Sequence, residues 1–154
     1  MKTKIGGRIF YLYRYILFRF IILVVSCAST SVMRPDAMAE VPVIRPAEAH
    51  RRIQQDPRTL VIDPRDAADI PVTGIISGAM NISYGALTYK ADNELPPEWR
   101  EPELGDRSRP IITTCESGEL GALAGKLLKD MGFSNVSILE GGTQAWKDAG
   151  FPTQ

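Results

Sequence analysis

From residue 40 onward, apolar positions come in short runs separated by polar, glycine and proline segments. Pro46 to Gln55 reads as a first helix, with Pro46 tolerated in its opening turn. Thr59-Leu60-Val61-Ile62 is a continuous apolar run that ends at Asp63-Pro64, the pattern of a buried strand halted by proline. Ala79-Met80-Asn81-Ile82 is a weaker strand candidate. Residues 92–110 carry Pro96, Pro97, Pro102 and Pro110 without a helical period, so they read as a surface excursion. That excursion also holds Trp99, Arg100, Arg107 and Arg109. Ile111-Ile112-Thr113-Thr114 is the clearest buried strand, and it delivers the chain to Cys115. Leu120, Leu123, Ala124, Leu127, Leu128 and Met131 then recur at helical spacing along one face, and Gly132 ends that helix. Val136-Ser137-Ile138-Leu139 is a further strand, and Gly141-Gly142 turns the chain into a last short helix around Trp146. Strands alternating with helices predict one α/β domain with a mainly parallel sheet. The sequence has no internal repeat.

The first 39 residues follow a different pattern. Basic residues lead into Phe20-Ile21-Ile22-Leu23-Val24-Val25, small residues follow, and Ala37-Met38-Ala39 closes the segment. A basic start, an apolar stretch and an A-x-A site are the parts of a secretory signal peptide. Lys and Arg hold the cytoplasmic side while the apolar part enters the membrane. Arg14 and Arg19 interrupt the apolar run, and Ala39 lies well beyond its end. Val24-Val25-Ser26-Cys27 resembles a bacterial lipobox with Cys27 as the lipidated residue. An uncleaved anchor over residues 9–28 is a third reading, opposed by arginines that cost ~2.5–3.5 kcal/mol each at a span's centre. A cytosolic chain with an apolar N-terminal helix is the fourth. The expectation is a leader over 1–39 and an exported domain over 40–154, in the bacterial periplasm or tethered to the membrane.

The composition sharpens this division. Across 154 residues, 18 Lys and Arg balance 18 Asp and Glu, and 44% hydrophobic with 23% charged content is ordinary for a globular protein. The length gives a prior of one domain. The zero net charge hides a leader at +5, with six basic residues and Asp36, and a remainder at −5, with twelve basic and seventeen acidic. Without an excess of Lys and Arg, no nucleic-acid partner is expected. One His and two Cys are too few for a His/Cys zinc site, so no metal is expected. If the leader is removed after Ala39, Cys115 is the sole cysteine left. It is then a reactive thiol or an intermolecular partner, never half of an internal disulfide. His50, on the first helix, is expected at the surface or in a capping role. Asp63 and Arg65 are expected to form a structural ion pair, and Trp146 to be a core aromatic.

The chemistry concentrates at Cys115. A buried strand, the cysteine, a short loop with Gly118 and a helix starting near Glu119 place the sulfur at the carboxyl end of a parallel strand, where open α/β sheets bind ligands. Amides at the helix start can converge on the sulfur, and the positive end of the dipole favours a thiolate.

Five segments in order resemble the rhodanese, or sulfurtransferase, domain family over about residues 42–153. Leu60-Val61-Ile62-Asp63-Pro64-Arg65 is similar to the family's strand ending in D-x-R. Gly74-Ile75-Ile76-Ser77-Gly78-Ala79-Met80-Asn81-Ile82 resembles its G-H-I-x-G-A-x-N-I element, with Ile75 where His is usual. Cys115-Glu116-Ser117-Gly118-Glu119-Leu120 resembles its active loop. Gly132-Phe133-Ser134-Asn135-Val136 and Leu139-Glu140-Gly141-Gly142-Thr143-Gln144-Ala145-Trp146, with Gly150-Phe151-Pro152, resemble its C-terminal signature. The resemblance implies a parallel five-stranded sheet covered by helices on both faces. It implies Cys115 as a nucleophile that takes a sulfane sulfur from a donor, carries it as a persulfide and passes it to a thiol or protein acceptor. It implies that Glu116, Ser117, Gly118, Glu119 and Leu120 cradle that persulfide through backbone amides, and it implies no cofactor. Asp63, Arg65 and Arg100 are accessory candidates.

The loop departs from the family's thiosulfate enzymes, which usually carry Arg or Lys there, often at the sixth position. Here that position is Leu120, flanked by Glu116 and Glu119. A carboxylate about 6 Å from the sulfur opposes a thiolate by ~0.7 kcal/mol at water's dielectric and ~3 kcal/mol at an effective value of 20. A helix N-terminus returns ~0.3–1 kcal/mol. Weak activity with the dianion thiosulfate is therefore expected, unless Arg100, Arg107 or Arg109 folds over the site. The related C-x5-R phosphatase loop needs Arg at position 121, which is Gly here. Two functions follow as expectations. One is an exported sulfurtransferase or persulfide carrier; the other is a weakly active or inactive relative that binds a partner or senses redox state.

Overall fold

The structure, a computed structural model, describes residues 40–154. The expectations for the leader, including Cys27 and the span over 9–28, lie outside the described residues. Among the described residues no helix is long and apolar enough to cross a membrane.

Five parallel strands form one sheet in the order β1-β5-β4-β2-β3. They are β1 (Val43–Ile44), β2 (Leu60–Asp63), β3 (Met80–Asn81), β4 (Ile111–Thr113) and β5 (Val136–Leu139). The helices are α1 (Pro46–Gln55), α2 (Ile70–Thr73), α3 (Tyr84–Lys90), α4 (Glu119–Asp130) and α5 (Gly142–Asp148). Every residue of β2, β4 and β5 is buried, as a sheet covered on both faces requires. Alternate side chains feed two cores. Leu60, Ile62, Ile111, Val136 and Ile138 pack with Leu87 of α3 and Ala124 and Leu128 of α4. Val61, Ile112 and Leu139 pack on the other side with Ala49 of α1 and Trp146 of α5. The expected α/β sheet with helices on both faces is the fold observed.

Helix α4 stops as its sequence requires. The Gly132 and Phe133 amides donate back to Lys129 O and Leu128 O, the paired bonds of a glycine-terminated helix. Strand β1 was not expected from the apolar pattern: it is two residues long, and its order comes from pairing with Ile138 and Leu139 of β5. Helices α2 and α3 are likewise absent from the periodicity.

The excursion over 92–110 also differs from a plain surface loop. It contains two 3₁₀ turns, Pro97–Trp99 and Pro102–Leu104, and Leu104 is buried in the same core as α3 and α4. Trp99 is 59% exposed. A cavity of about 240 Å³ in this segment is lined by Asn93, Pro97, Arg100, Glu101, Pro102 and Gly105, none of them in the Cys115 loop.

Candidate active site

Cys115 follows the end of β4 and is 4% exposed. Strand β4 lies between β2 and β5, so the loops after all three strands meet around the sulfur. The Gly118 amide donates to Cys115 Sγ at 3.1 Å. Gly118 is the residue preceding α4, whose start has no side-chain cap, so the sulfur accepts at a helix N-terminus. Of the expected cradle, this is the amide that reaches the sulfur. Glu116, Ser117 and Glu119 are exposed, while Gly118 and Leu120 are partly buried.

The loop is held from behind by α5. The Thr143 amide donates to Cys115 O at 2.7 Å and the Gln144 amide to Glu116 O at 3.0 Å. In a trans peptide the N–H points opposite to the C=O, so these two bonds turn the Glu116 and Ser117 amides away from α5. Gly142 makes the approach feasible. A Cβ there would stand 2.6 Å from both Glu116 O and Gly118 N, and closer still to Cys115 O. The role of this Gly-Gly turn in fixing the loop was missed at the sequence level, where Gly141-Gly142 reads only as a turn.

Gly121, in the first turn of α4, lies against Thr114 just beyond the end of β4. A Cβ at this position would meet Thr114 backbone atoms at 2.8–3.0 Å. There is no room for any side chain at the position where a C-x5-R loop carries its arginine.

The neighbouring strand brings in the charges. Asp63 is fully buried and Arg65 is 6% exposed. Arg65 Nε donates to both Asp63 oxygens at 2.9 and 3.1 Å, and Nη2 donates to Asp63 Oδ2 at 2.5 Å. The expected ion pair is present, and it does more than pair. Nη1 donates to Thr73 Oγ1 at the end of α2, and Nη2 to Gly74 O at 2.8 Å. Asn81 Nδ2 clamps the turn through Asp63 O at 2.9 Å and Arg65 O at 2.7 Å. The Asp63 hydrogen bond, above all, holds the Arg65 guanidinium above its ordinary value, and the charges of Cys115 and Glu116 add to it.

The excursion arginines are engaged elsewhere. Arg100 donates to Asn93 O at 3.0 Å within the excursion. Arg107 stacks over the Phe133 ring at 4.4 Å. Arg109 pairs with Glu103 and donates to Arg58 O. Of the accessory candidates, Arg100 meets a carbonyl within its own loop, whereas Asp63 and Arg65 stand together at the end of β2. The expectation for His50 is corrected. It neither caps α1 nor stands free at the surface, but stacks on Phe151 at 4.2 Å and tilts against Trp146 at 5.7 Å. Trp146 is a core residue, as expected, and its Nε1 donates to Pro152 O.

Comparison with known proteins agrees with this geometry. A sequence profile for the family described as Rhodanese-like domain matches residues 45–149. Thiosulfate sulfurtransferase GlpE of Stutzerimonas stutzeri is 28% identical over 110 residues, which is 71% of this chain and 88% of that one. A Rhodopseudomonas palustris protein of unknown function, described as a possible tyrosine phosphatase, superposes with a TM-score of 0.70. It is 28% identical, with 77% of this chain and 89% of that chain covered. The polysulfide-sulfur transferase homodimer of Wolinella succinogenes superposes with a TM-score of 0.60 at 26% identity, covering 77% and 82%.

Proposed function

The chain belongs to the rhodanese-like domain family, and on that footing we propose that it is a sulfurtransferase, or persulfide carrier, working through Cys115. The observation that carries the reading is a lone described thiol at a strand end whose sulfur already accepts the Gly118 amide. In the first half-reaction the Cys115 thiolate attacks the outer sulfur of a persulfide donor R–S–SH. The donor S–S bond breaks and RS⁻ leaves with the electron pair, so Cys115 becomes Cys–S–SH. In the second, an acceptor thiolate attacks that outer sulfur and takes it as its own persulfide, and the Cys115 thiolate is restored. The sulfane sulfur keeps its oxidation state, so the cycle needs no redox partner or cofactor.

Glu116 and Glu119 stand on the loop facing solvent. They disfavour a dianion more than a neutral persulfide, because Coulomb repulsion scales with the incoming charge. This supports a low-molecular-weight or protein persulfide, or a protonated polysulfide, as donor in preference to thiosulfate. The leader sequence supports placing the reaction outside the cytoplasm, in a bacterial periplasm or at its membrane. Paired kinetics test the proposal. The wild type should move sulfur from a persulfide donor to a thiol acceptor, Cys115→Ser should not, and thiosulfate:cyanide turnover should be weak. Absence of transfer from every donor would favour the partner-binding reading, and thiosulfate kinetics matching an Arg-loop relative would remove the argument from the acidic loop.

A further inference from the structure

Two buried threonines stand behind the active loop. Thr114 is fully buried and Thr143 is 1% exposed. Thr114 is fixed from three directions. Its amide donates to Ile62 O of β2 at 2.9 Å, and Gly121 of α4 packs so close to its backbone that no Cβ fits between them. Its Oγ1 lies 3.5 Å from Thr143 Oγ1 of α5 and donates to Cys115 O at 3.2 Å. A hydroxyl has one proton to give. Since Thr114 gives its own to Cys115 O, Thr143 Oγ1 is the donor between the two threonines. The hydroxyls therefore run one way, from Thr143 through Thr114 to Cys115 O. The Thr143 amide ends on the same oxygen at 2.7 Å. Thr143 thus serves one carbonyl twice, directly through its amide and indirectly through its hydroxyl.

That carbonyl shares its peptide with the Glu116 N–H, which points the opposite way, off α5. Among the described residues no acceptor takes the Glu116 amide, whereas the Gly118 amide is engaged by Cys115 Sγ. Hydrogen bonds in a chain polarise one another by about 10–30% per bond, and a buried setting strengthens each of them. Two donors on Cys115 O draw charge along the peptide and leave the Glu116 N–H a stronger donor than an ordinary loop amide. We propose that Thr114 and Thr143 are positioning residues for the persulfide: their one-way hydroxyl chain fixes and polarises the Cys115–Glu116 peptide, which presents its amide to the outer sulfur rather than to Sγ. The two states of Cys115 then depend on different donors, the thiol on Gly118 and the persulfide also on Glu116.

The inference deepens the proposed function and rests on Cys115 carrying sulfur. Its test compares two rates in full-chain variants. Sulfur transfer from glutathione persulfide to cysteine reads the persulfide state, and alkylation of Cys115 by iodoacetamide reads the thiol state. Thr114→Val should lower kcat for transfer by about threefold to tenfold, the worth of one hydrogen bond, with KM and the alkylation rate within about twofold. Thr114→Ser keeps the hydroxyl and should restore most of the rate. Thr143→Val keeps its amide and the Thr114 bond; it should lower kcat by about twofold to threefold, and it answers the question if Thr114→Val does not fold. A packing defect slows both reactions together and is not rescued by serine. The Glu116 amide gives a reading that needs no sulfur transfer: its ¹⁵N resonance should move upfield in Thr114→Val and Thr143→Val and return in Thr114→Ser. Unchanged transfer in either valine variant, an equal fall in both rates, equal loss in Thr114→Ser, or a Glu116 resonance that does not move would overturn the assignment. A resonance that moves as described in a chain that transfers no sulfur would instead count against the proposed function alone.

Discussion

Glu116 and Gly142 show how single residues set the behaviour of the site. Glu116 is exposed next to the sulfur-bearing residue, and its carbonyl is tied to α5 while its carboxylate faces solvent. At about 6 Å in water, one carboxylate costs a dianion ~1.4 kcal/mol, or about tenfold in rate. Glu116→Gln should therefore raise thiosulfate kcat/KM by up to about tenfold while leaving a neutral persulfide donor within about twofold; steady-state kinetics with both donors check this. Gly142 acts on shape. Its φ is +63°, and an added Cβ would press on Cys115 O, Glu116 O and Gly118 N. Gly142→Ala should destabilise the fold by about 3 kcal/mol and cost more activity than stability, since the atoms displaced belong to the active loop. Urea unfolding and transfer rates, measured together, separate the two effects. Of these residues, Cys115 and its loop are legible from the sequence because their order, strand, cysteine, glycine and helix, is local. The clamp on Arg65 is not, because it depends on how the chain returns after α2 to Thr73 and Gly74, which no local pattern encodes.

Among the elements, those with an apolar run or period were readable, and β1, α2 and α3 were not. Helix α1 has the expected bounds Pro46–Gln55, and α4 and β5 run where the apolar spacing puts them. Each carries enough residues to show a period or an unbroken apolar run. Strand β1 has two residues and α2 has four, while the equally short β3 lies inside the weaker candidate Ala79–Ile82. Pairing and side-chain clamps order such pieces, as Arg65 and Lys147 do for α2. The excursion over 92–110 misled because its prolines mask a buried anchor. Leu104 is 1% exposed among the residues of α3 and α4, whereas Trp99, the larger side chain, is mostly solvent-exposed. Leu104→Ala should cost about 2–4 kcal/mol in chemical denaturation, and Trp99→Ala less than about 0.5 kcal/mol. Equal effects would mean that the segment is anchored in some other way.

At the scale of the whole molecule, a neutral sequence divides into residues 1–39 at +5 and residues 40–154 at −5. The acidity of residues 40–154 extends to the loop that carries Cys115, where Glu116 and Glu119 are exposed. The fold thus places the Cys115 sulfur at the carboxyl end of its central strands, beside an acidic loop. Everything in this account depends on Cys115 carrying sulfur. The most direct measurement is the mass of the Cys115 peptide from the full chain after brief exposure to a persulfide donor and again after addition of an acceptor thiol. The account predicts a gain of one sulfur atom on that peptide, absent in Cys115→Ser and discharged by the thiol. A Cys115 peptide that remains unmodified with persulfide, polysulfide and thiosulfate alike would contradict it.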